Sequence, residues 1–291
     1  MTLSRRQFVL SAGVAGLSLA GAALPTPSRA ADGESRQLRV IAYNVLRARG
    51  WPKNSPLARR AVERKQMARR FALELALYDP DIVTFSESPA PELTREVARL
   101  LGMEHARFEG GSFTGTFMSR LKVVESRDTP VVGERPEGLF TRHWGRAVVE
   151  LPDGSPLIVH SAHLHPGAAP AVRLREIDAM LASMQGDLDA GRSMILMGDL
   201  NHGPDSEEYK RWIAAGWIDT FAKVGEGEGL TFKTDDPEYR IDYVMATGPI
   251  AGGIRESRPL FEGAFRHNAA DSRGFALSDH LPQLAAFDLG K

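Results

Sequence analysis

The stretch Ser193-Met194-Ile195-Leu196-Met197-Gly198-Asp199-Leu200-Asn201-His202 decides how the rest of the chain reads. Four consecutive apolar residues, Met194 to Met197, predict a buried strand that Gly198 brings to its end. Asp199 and Asn201 follow two apart, and residues so spaced in extended backbone point the same way. A carboxylate and an amide are therefore expected to leave the strand end side by side. Layered α/β proteins gather their ligand sites at such ends. Gly-Asp-x-Asn is also good turn chemistry, so the stretch alone reads equally as a plain turn.

Working outward, the same pattern recurs. Leu38 to Tyr43 reads as a first strand, with Asn44 at its end. Ser55-Pro56 has the chemistry of an N-cap followed by Pro at the first helical position. The apolar spacing at Ala61, Met67, Phe71, Leu73 and Leu77 predicts one helix from there to about Leu77. Asp81 to Phe85 is the next strand, followed by Glu87, and a second helix covers about Pro91 to Leu101. A Gly-rich segment and Thr116 to Arg120 follow, and strands are then expected around Arg146 to Glu150 and Leu157 to Ser161, joined by a turn at Asp153-Gly154. His163 then stands at a strand end. Ala171 to Met184 reads as a helix leading to the Met194 strand, and Ser206 opens a shorter helix ending near Gly216. The last strands are Tyr239 to Met245, which contains Asp242, and Leu284 to Phe287. Leu277-Ser278-Asp279-His280 lies between them.

Composition limits the function classes. With 43% hydrophobic and 25% charged residues the 291-residue chain is of ordinary globular make-up. Ser4-Arg5-Arg6-Gln7-Phe8-Val9-Leu10, a weakly apolar Ser11 to Leu24 and the small residues at Ser28-Arg29-Ala30 resemble a twin-arginine signal peptide. The apolar run is short for a membrane span. Residues 1–30 are thus expected to be an export leader read by the twin-arginine machinery, and 31–291 one large domain, periplasmic or secreted. Residues 1–30 hold three of the 36 basic residues and none of the 37 acidic ones, so the mature part is mildly acidic. That argues against a strongly basic nucleic-acid surface but leaves room for a local groove. The absence of cysteine excludes zinc–thiolate sites and cysteine nucleophiles. No feature calls for a partner chain, and a monomer is expected.

Strand after strand thus ends in a residue able to bind metal or phosphate: Asn44, Glu87, His163, Asp199, Asn201, Asp242, Asp279 and His280. Each has a plain alternative, such as Asn44 capping a turn, His163 as a satisfied core histidine or Asp242 pairing with Arg240. Taken together, Tyr43-Asn44, Ser86-Glu87, Ser119-Arg120, Ala162-His163-Leu164, Gly198-Asp199-Leu200-Asn201, Arg240-Ile241-Asp242-Tyr243 and Ser278-Asp279-His280 follow one another as they do in the endonuclease/exonuclease/phosphatase superfamily. From about Leu38 to Leu289 the chain resembles that group.

The resemblance implies an α/β fold, a four-layer sandwich of two packed mixed β-sheets flanked by helices. It implies a metal-dependent phosphoesterase with Glu87 as the main carboxylate ligand of Mg2+, Asn44 close to the same ion and Asp279 completing the site. Hard oxygen ligands suit Mg2+, and Mn2+ is a substitute. Asp199 would orient or deprotonate the attacking water, and Asn201 would donate to phosphoryl oxygens. His280 would contact the scissile phosphate or act as base, with Asp242 fixing its tautomer, and His163 would contact phosphate. Substrates in this group are phosphate esters, whether nucleic acid, phospholipid or sugar phosphate. Ser86, where many members carry Gln, and the bulky Phe117 are departures expected to reshape the pocket. His160 and His165 flank His163 and are expected to be structural or pocket-lining. Two other readings remain: a catalytically inactive binding module on the same fold, and a calcineurin-like metallophosphatase. The latter calls for an early Asp-x-His, where this chain has Tyr43-Asn44.

Overall fold

The computed structural model describes residues 36–129, 135–271 and 273–290. The leader expected over 1–30 lies outside them. In chain order the first half contributes β1 (Gln37–Asn44), α1 (Pro56–Glu63), α2 (Met67–Ala76), β2 (Ile82–Ser86), α3 (Pro91–Leu101), β3 (Glu104–Phe108), β4 (Gly115–Ser119), β5 (Val123–Asp128) and β6 (Trp144–Glu150). The second half adds β7 (Pro156–His163), α4 (Pro170–Asp189), β8 (Met194–Asp199), α5 (Glu207–Ala214), β9 (Ile218–Asp219), α6 (Thr220–Val224), β10 (Asp242–Thr247), β11 (Ile254–Pro259) and β12 (Gln283–Asp288).

The strands form two six-stranded sheets, ordered β11-β12-β1-β2-β4-β3 and β5-β6-β7-β8-β10-β9. Each is mixed. β1 and β2 run parallel in the first and β7 and β8 in the second, and the remaining pairs are antiparallel. The period-2 alternation of side chains explains the layering. Leu38, Val40 and Ala42 of β1 meet Ile195 and Met197 of β8 in a core between the sheets. Ile41 and Tyr43 face the opposite way, onto Phe71 and Leu75 of α2 and Val97 of α3. Met194 and Leu196 turn to Ile177, Met180 and Met184 of α4. Both faces of the central strands are covered, so they read as nearly unbroken apolar runs. The result is the expected four-layer sandwich.

Four local expectations need correction. The helix predicted from Pro56 to about Leu77 is two helices, broken at Lys65, whose φ is 55°. The polar run Glu63-Arg64-Lys65-Gln66 has no apolar residue to hold that turn against the sheet. The buried face of α2 is Met67, Ala68, Phe71, Ala72 and Leu75, whereas Leu73 and Leu77 are exposed. The strand expected from Tyr239 begins only at Asp242. Phe117 is buried in the core between the sheets, so its bulk does not reshape the pocket. The caps held: Ser55 Oγ accepts from the Ala58 N–H at 3.3 Å, and Ser206 Oγ from the Tyr209 N–H at 3.1 Å.

Gly198 lies within β8 rather than ending it, at a φ of 142° and buried. A Cβ there would sit 2.0 Å from the carbonyl oxygen of Ala162 on β7. The β7–β8 ladder that carries His163 and Asp199 thus needs a residue without a side chain at this point. Gly198→Ala is expected to destabilise the protein by about 3 kcal/mol, combining backbone strain and overpacking. Urea unfolding measures it, and a loss under about 1 kcal/mol would contradict the close approach.

Candidate active site

The strand ends meet along one edge of the sandwich, and Asp199 is where they converge. Asp199 ends β8 and lies opposite His163 on β7 and opposite Asp242 on β10. Asn44 arrives from the other sheet and donates its Nδ2–H to Asp199 Oδ2 at 2.9 Å. The same oxygen lies 3.4 Å from His163 Nε2 and 3.9 Å from His280 Nε2. The other accepts the Asn201 N–H at 3.1 Å. His280 reaches Asp242 through its second ring nitrogen, Nδ1 to Oδ2 at 2.8 Å, and its ring rests 4.8 Å from that of Phe232. One carboxylate therefore serves an amide, a backbone N–H and two imidazoles.

The electrostatics follow from this crowding. Burial, reinforced by the Asp242 charge beside it, pushes the Asp199 carboxyl well up from its ordinary value. Burial alone would disfavour a charged His280, but Asp242 and Asp199 outweigh it and hold the imidazolium up to about 10. His163 has no such support. Burial, aided by His143 and Arg142, pushes it well below its usual value, so it is neutral, and its Nδ1 has no hydrogen-bond partner. Two imidazoles at one carboxylate thus carry opposite protonation states, set by which of them faces Asp242.

Glu87 and Asp279 stand beside this group. Glu87 follows β2 in a left-handed conformation, φ 49°, and its carbonyl accepts the Arg47 N–H at 2.8 Å. Burial raises its carboxyl, and Asp279 adds repulsion, while His280 and the Asn44 amide act the other way. Asp279 accepts from Ser278 Oγ at 3.3 Å, and the same hydroxyl reaches the Asn44 carbonyl at 2.6 Å. Leu46, Arg47, Ala48 and Asn201 share positive φ with Glu87. Such strain gathers where a site requires it.

The Asn201 expectation is corrected in detail. The backbone leaves the extended region at Asn201, φ 53°, and its amide donates to the Leu164 carbonyl at 3.0 Å. A turn and a hydrogen bond to the end of β7, rather than a shared strand direction, hold it beside Asp199. Arg240 pairs with Asp219 at 2.7 Å, not with Asp242, which leaves Asp242 to His280. His160 accepts from the Trp144 indole at 3.2 Å and is a buried core residue. His165 lies at the rim, its Nδ1 3.3 Å from Thr141 Oγ1. Arg120 pairs with Asp79 and so serves the fold.

Sequence reading missed several supports. Thr231 Oγ1 accepts the N–H groups of Ile241 and Asp242, at 3.3 and 3.2 Å, fixing the start of β10. Buried Glu176 of α4 accepts the N–H groups of Phe140 and His165, at 2.7 and 2.8 Å. Arg142 and Phe113 border His163. No periodic signal marks such residues, because each acts through contacts made outside its own strand or helix.

Two carboxylate groupings are candidates for a metal ion. Asp199, Asp242 and His280 bring ligand atoms within 4.8 Å of one another. Among them, however, His280 Nδ1 and Asp242 are already hydrogen-bonded, and a protonated imidazole is no ligand. Glu87 and Asp279 instead repel one another beside the Asn44 carboxamide. Glu87, Asp279 and Asn44 offer a cation oxygen donors only, the chemistry that suits a hard divalent ion.

Comparisons with known proteins agree with this architecture. Residues 41–280 match the model of the Endonuclease/Exonuclease/phosphatase family. No curated protein sequence matches the chain. Among solved structures, a family protein from Bacteroides thetaiotaomicron is 17% identical with a TM-score of 0.64, covering 88% of this chain and 100% of that one. The mannosyl-6-phosphatase of Bacteroides thetaiotaomicron VPI-5482 is 19% identical with a TM-score of 0.65, covering 85% and 98%. The D. rerio TDP2 structure in complex with a single-strand DNA product is 19% identical with a TM-score of 0.62, covering 86% and 98%. At these identities the likeness is one of fold. The calcineurin-like reading falls away, and with residues 41–280 matched the chain belongs to the endonuclease/exonuclease/phosphatase family, as a metal-dependent hydrolase acting on phosphoric ester bonds.

Proposed function

We propose that this protein is an exported Mg2+-dependent phosphoesterase that hydrolyses its substrate by direct attack of water. The observation that carries the reading is the environment of Asp199: a buried carboxylate with a raised pKa, aligned by Asn44 and Asn201 and flanked by two imidazoles in opposite charge states. A base poised near neutral pH suits removal of a proton from water.

Glu87, Asn44 and Asp279 would hold the ion, Mg2+ by preference and Mn2+ as a substitute. When bound, it supplies neutralisation of phosphate charge and stabilisation of the leaving oxygen. Asp199 takes a proton from the attacking water as the new P–O bond forms. The charged His280, kept so by Asp242, donates to a phosphoryl oxygen as negative charge builds there. Asn201 donates its amide to the same group, exchanging its Leu164 partner for substrate. His163, neutral and next to Asp199, contacts the phosphate on the leaving-group side. The P–O bond to the leaving group then breaks, the leaving oxygen takes up a proton from solvent and Asp199 returns its own to solvent, giving an alcohol and a phosphate with no covalent enzyme intermediate.

The test is hydrolysis of a phosphodiester and a phosphomonoester side by side, with Mg2+, with Mn2+ and with EDTA. Turnover with Mg2+ that EDTA abolishes and Mn2+ partly restores is expected. No turnover of either ester, combined with no Mg2+ binding by calorimetry, would leave the inactive binding module as the reading. The twin-arginine pattern at Ser4 to Leu10 supports delivery to the periplasm or beyond. Replacing Arg5 and Arg6 with lysine is expected to retain the protein in the cytoplasm.

A further inference from the structure

Beside Glu87 the surface opens into a slot of about 330 Å3 whose walls include Arg47, Arg49, Arg107, Ser88 and Phe113. It adjoins the catalytic group directly. The Arg47 N–H is bonded to the Glu87 carbonyl, Ser88 is the next residue, and the Phe113 ring lies 6.4 Å from that of His163. The guanidinium groups of Arg47 and Arg142 both lie against the Phe113 ring, 4.1 and 4.4 Å from its centre. Ser112 fixes them further: its carbonyl accepts from Arg47 at 3.0 Å and its hydroxyl from Arg142 at 2.9 Å. These are flexible side chains made stiff by ring stacking and by uncharged acceptors.

Their charge is unspent. Arg107 is paired with Glu109 at 3.3 Å. Among the described residues, neither Arg47, Arg49 nor Arg142 has a carboxylate at ion-pair distance. The exposed Arg47 and Arg49 thus bring cations without an ion-pair partner to the approach to Glu87, while Arg142 behind them also feels the charges of Glu87, Asp199 and Glu176. A cleft lined by one sign of charge draws an anionic group to it.

We infer that this slot binds a second phosphate of the substrate, next to the one that is hydrolysed. The inference rests on the phosphoesterase reading and narrows it to substrates with two neighbouring phosphates. Guanidinium forks match phosphate oxygens two at a time, and backbone-anchored forks are already oriented for this. A stacked base or sugar ring is a poorer occupant, because the exposed aromatic surface of Phe113 is already taken by two guanidinium groups. Two sources present such a pair: a small bisphosphate, or successive phosphates of a nucleotide chain.

The experiment compares kcat/KM within two pairs of substrates. One pair is fructose 1,6-bisphosphate and fructose 6-phosphate. The other is a thymidine dinucleotide with and without a 5′-phosphate. Each is measured on the wild type and on Arg47→Gln/Arg49→Gln, after thermal unfolding has confirmed that the variant folds. In at least one pair the two-phosphate member is expected to be preferred by about tenfold or more, a factor in keeping with one charge-assisted contact. In the variant the preference should fall below about threefold. The pair that responds identifies the source. Absence of preference in both pairs, or an unchanged preference in the variant, would overturn the inference.

Should the wild type hydrolyse none of the four, the general activity fails but the slot remains testable. Calorimetry in EDTA then compares pyrophosphate with orthophosphate. Pyrophosphate binding about tenfold tighter, and lost in the double variant, supports the slot. Equal binding of the two anions, or binding unaffected by the variant, refutes it.

Discussion

Asp199→Asn is expected to lower kcat by roughly 10³-fold while leaving the fold intact, the range a positioned general base contributes. The substitution keeps the shape of the side chain and removes its charge. In the native protein that charge is buried, unfavourably close to the Asp242 charge opposite it in the β8–β10 ladder. Removing it relieves repulsion but weakens the bonds from Asn44, Asn201 and His163. These effects oppose one another, so the melting temperature should move by only a few degrees. A large fall in kcat with an unchanged melting temperature identifies a chemical role. A comparable loss of stability would instead make Asp199 a structural junction between the sheets, and a kcat within threefold of wild type would exclude it as the base.

The second large effect separates the two candidate metal groupings. Glu87→Ala is expected to weaken Mg2+ binding by at least 10–100-fold, the cost known for groups one step further from a metal. It removes one of two carboxylates whose mutual repulsion the ion would offset. His280→Ala is expected to reduce kcat by about 10²–10³-fold, as for loss of one preorganised donor, with Mg2+ affinity nearly unchanged. Calorimetric titration of each variant with Mg2+, beside activity as a function of Mg2+, distinguishes them. Loss of affinity in His280→Ala with none in Glu87→Ala would place the ion among Asp199, Asp242 and His280. The hydrogen bond of 2.8 Å between His280 and Asp242 argues for the first outcome, because it commits a ring nitrogen to a carboxylate instead of to a cation.

Much of the scaffold was legible because its signals are local. The runs at Val40 to Tyr43 and Met194 to Met197 are apolar over more than one face, as strands covered on both sides must be. Ser55-Pro56 and Ser206 announce helix starts through contacts only three residues long. Strands β3, β5 and β11 left no comparable trace. They lie in or next to the outermost positions of their sheets, where Glu104, Glu125 and Arg255 are exposed and the apolar alternation fades. The break at Lys65 was hidden for a related reason, since helical spacing in α1 and α2 continues in number across a turn that no buried side chain anchors.

The sequence by itself determined the chemistry available at each strand end: an amide at Asn44, carboxylates at Glu87, Asp199, Asp242 and Asp279, and imidazoles at His163 and His280. These are short-range facts, written in the residues that flank the apolar runs. The tertiary structure decided which of them meet. Asn44 lies 155 positions from the carboxylate it contacts, and the two belong to different sheets. Asp242 is free for His280 because Arg240 found Asp219 instead. Protonation states were settled at the same level. His163 and His280 are chemically identical in the sequence, and burial beside or away from the Asp242 charge makes one neutral and the other a cation. The guanidinium-lined slot likewise exists only because Arg47 and Arg142, 95 positions apart, come to rest on the ring of Phe113.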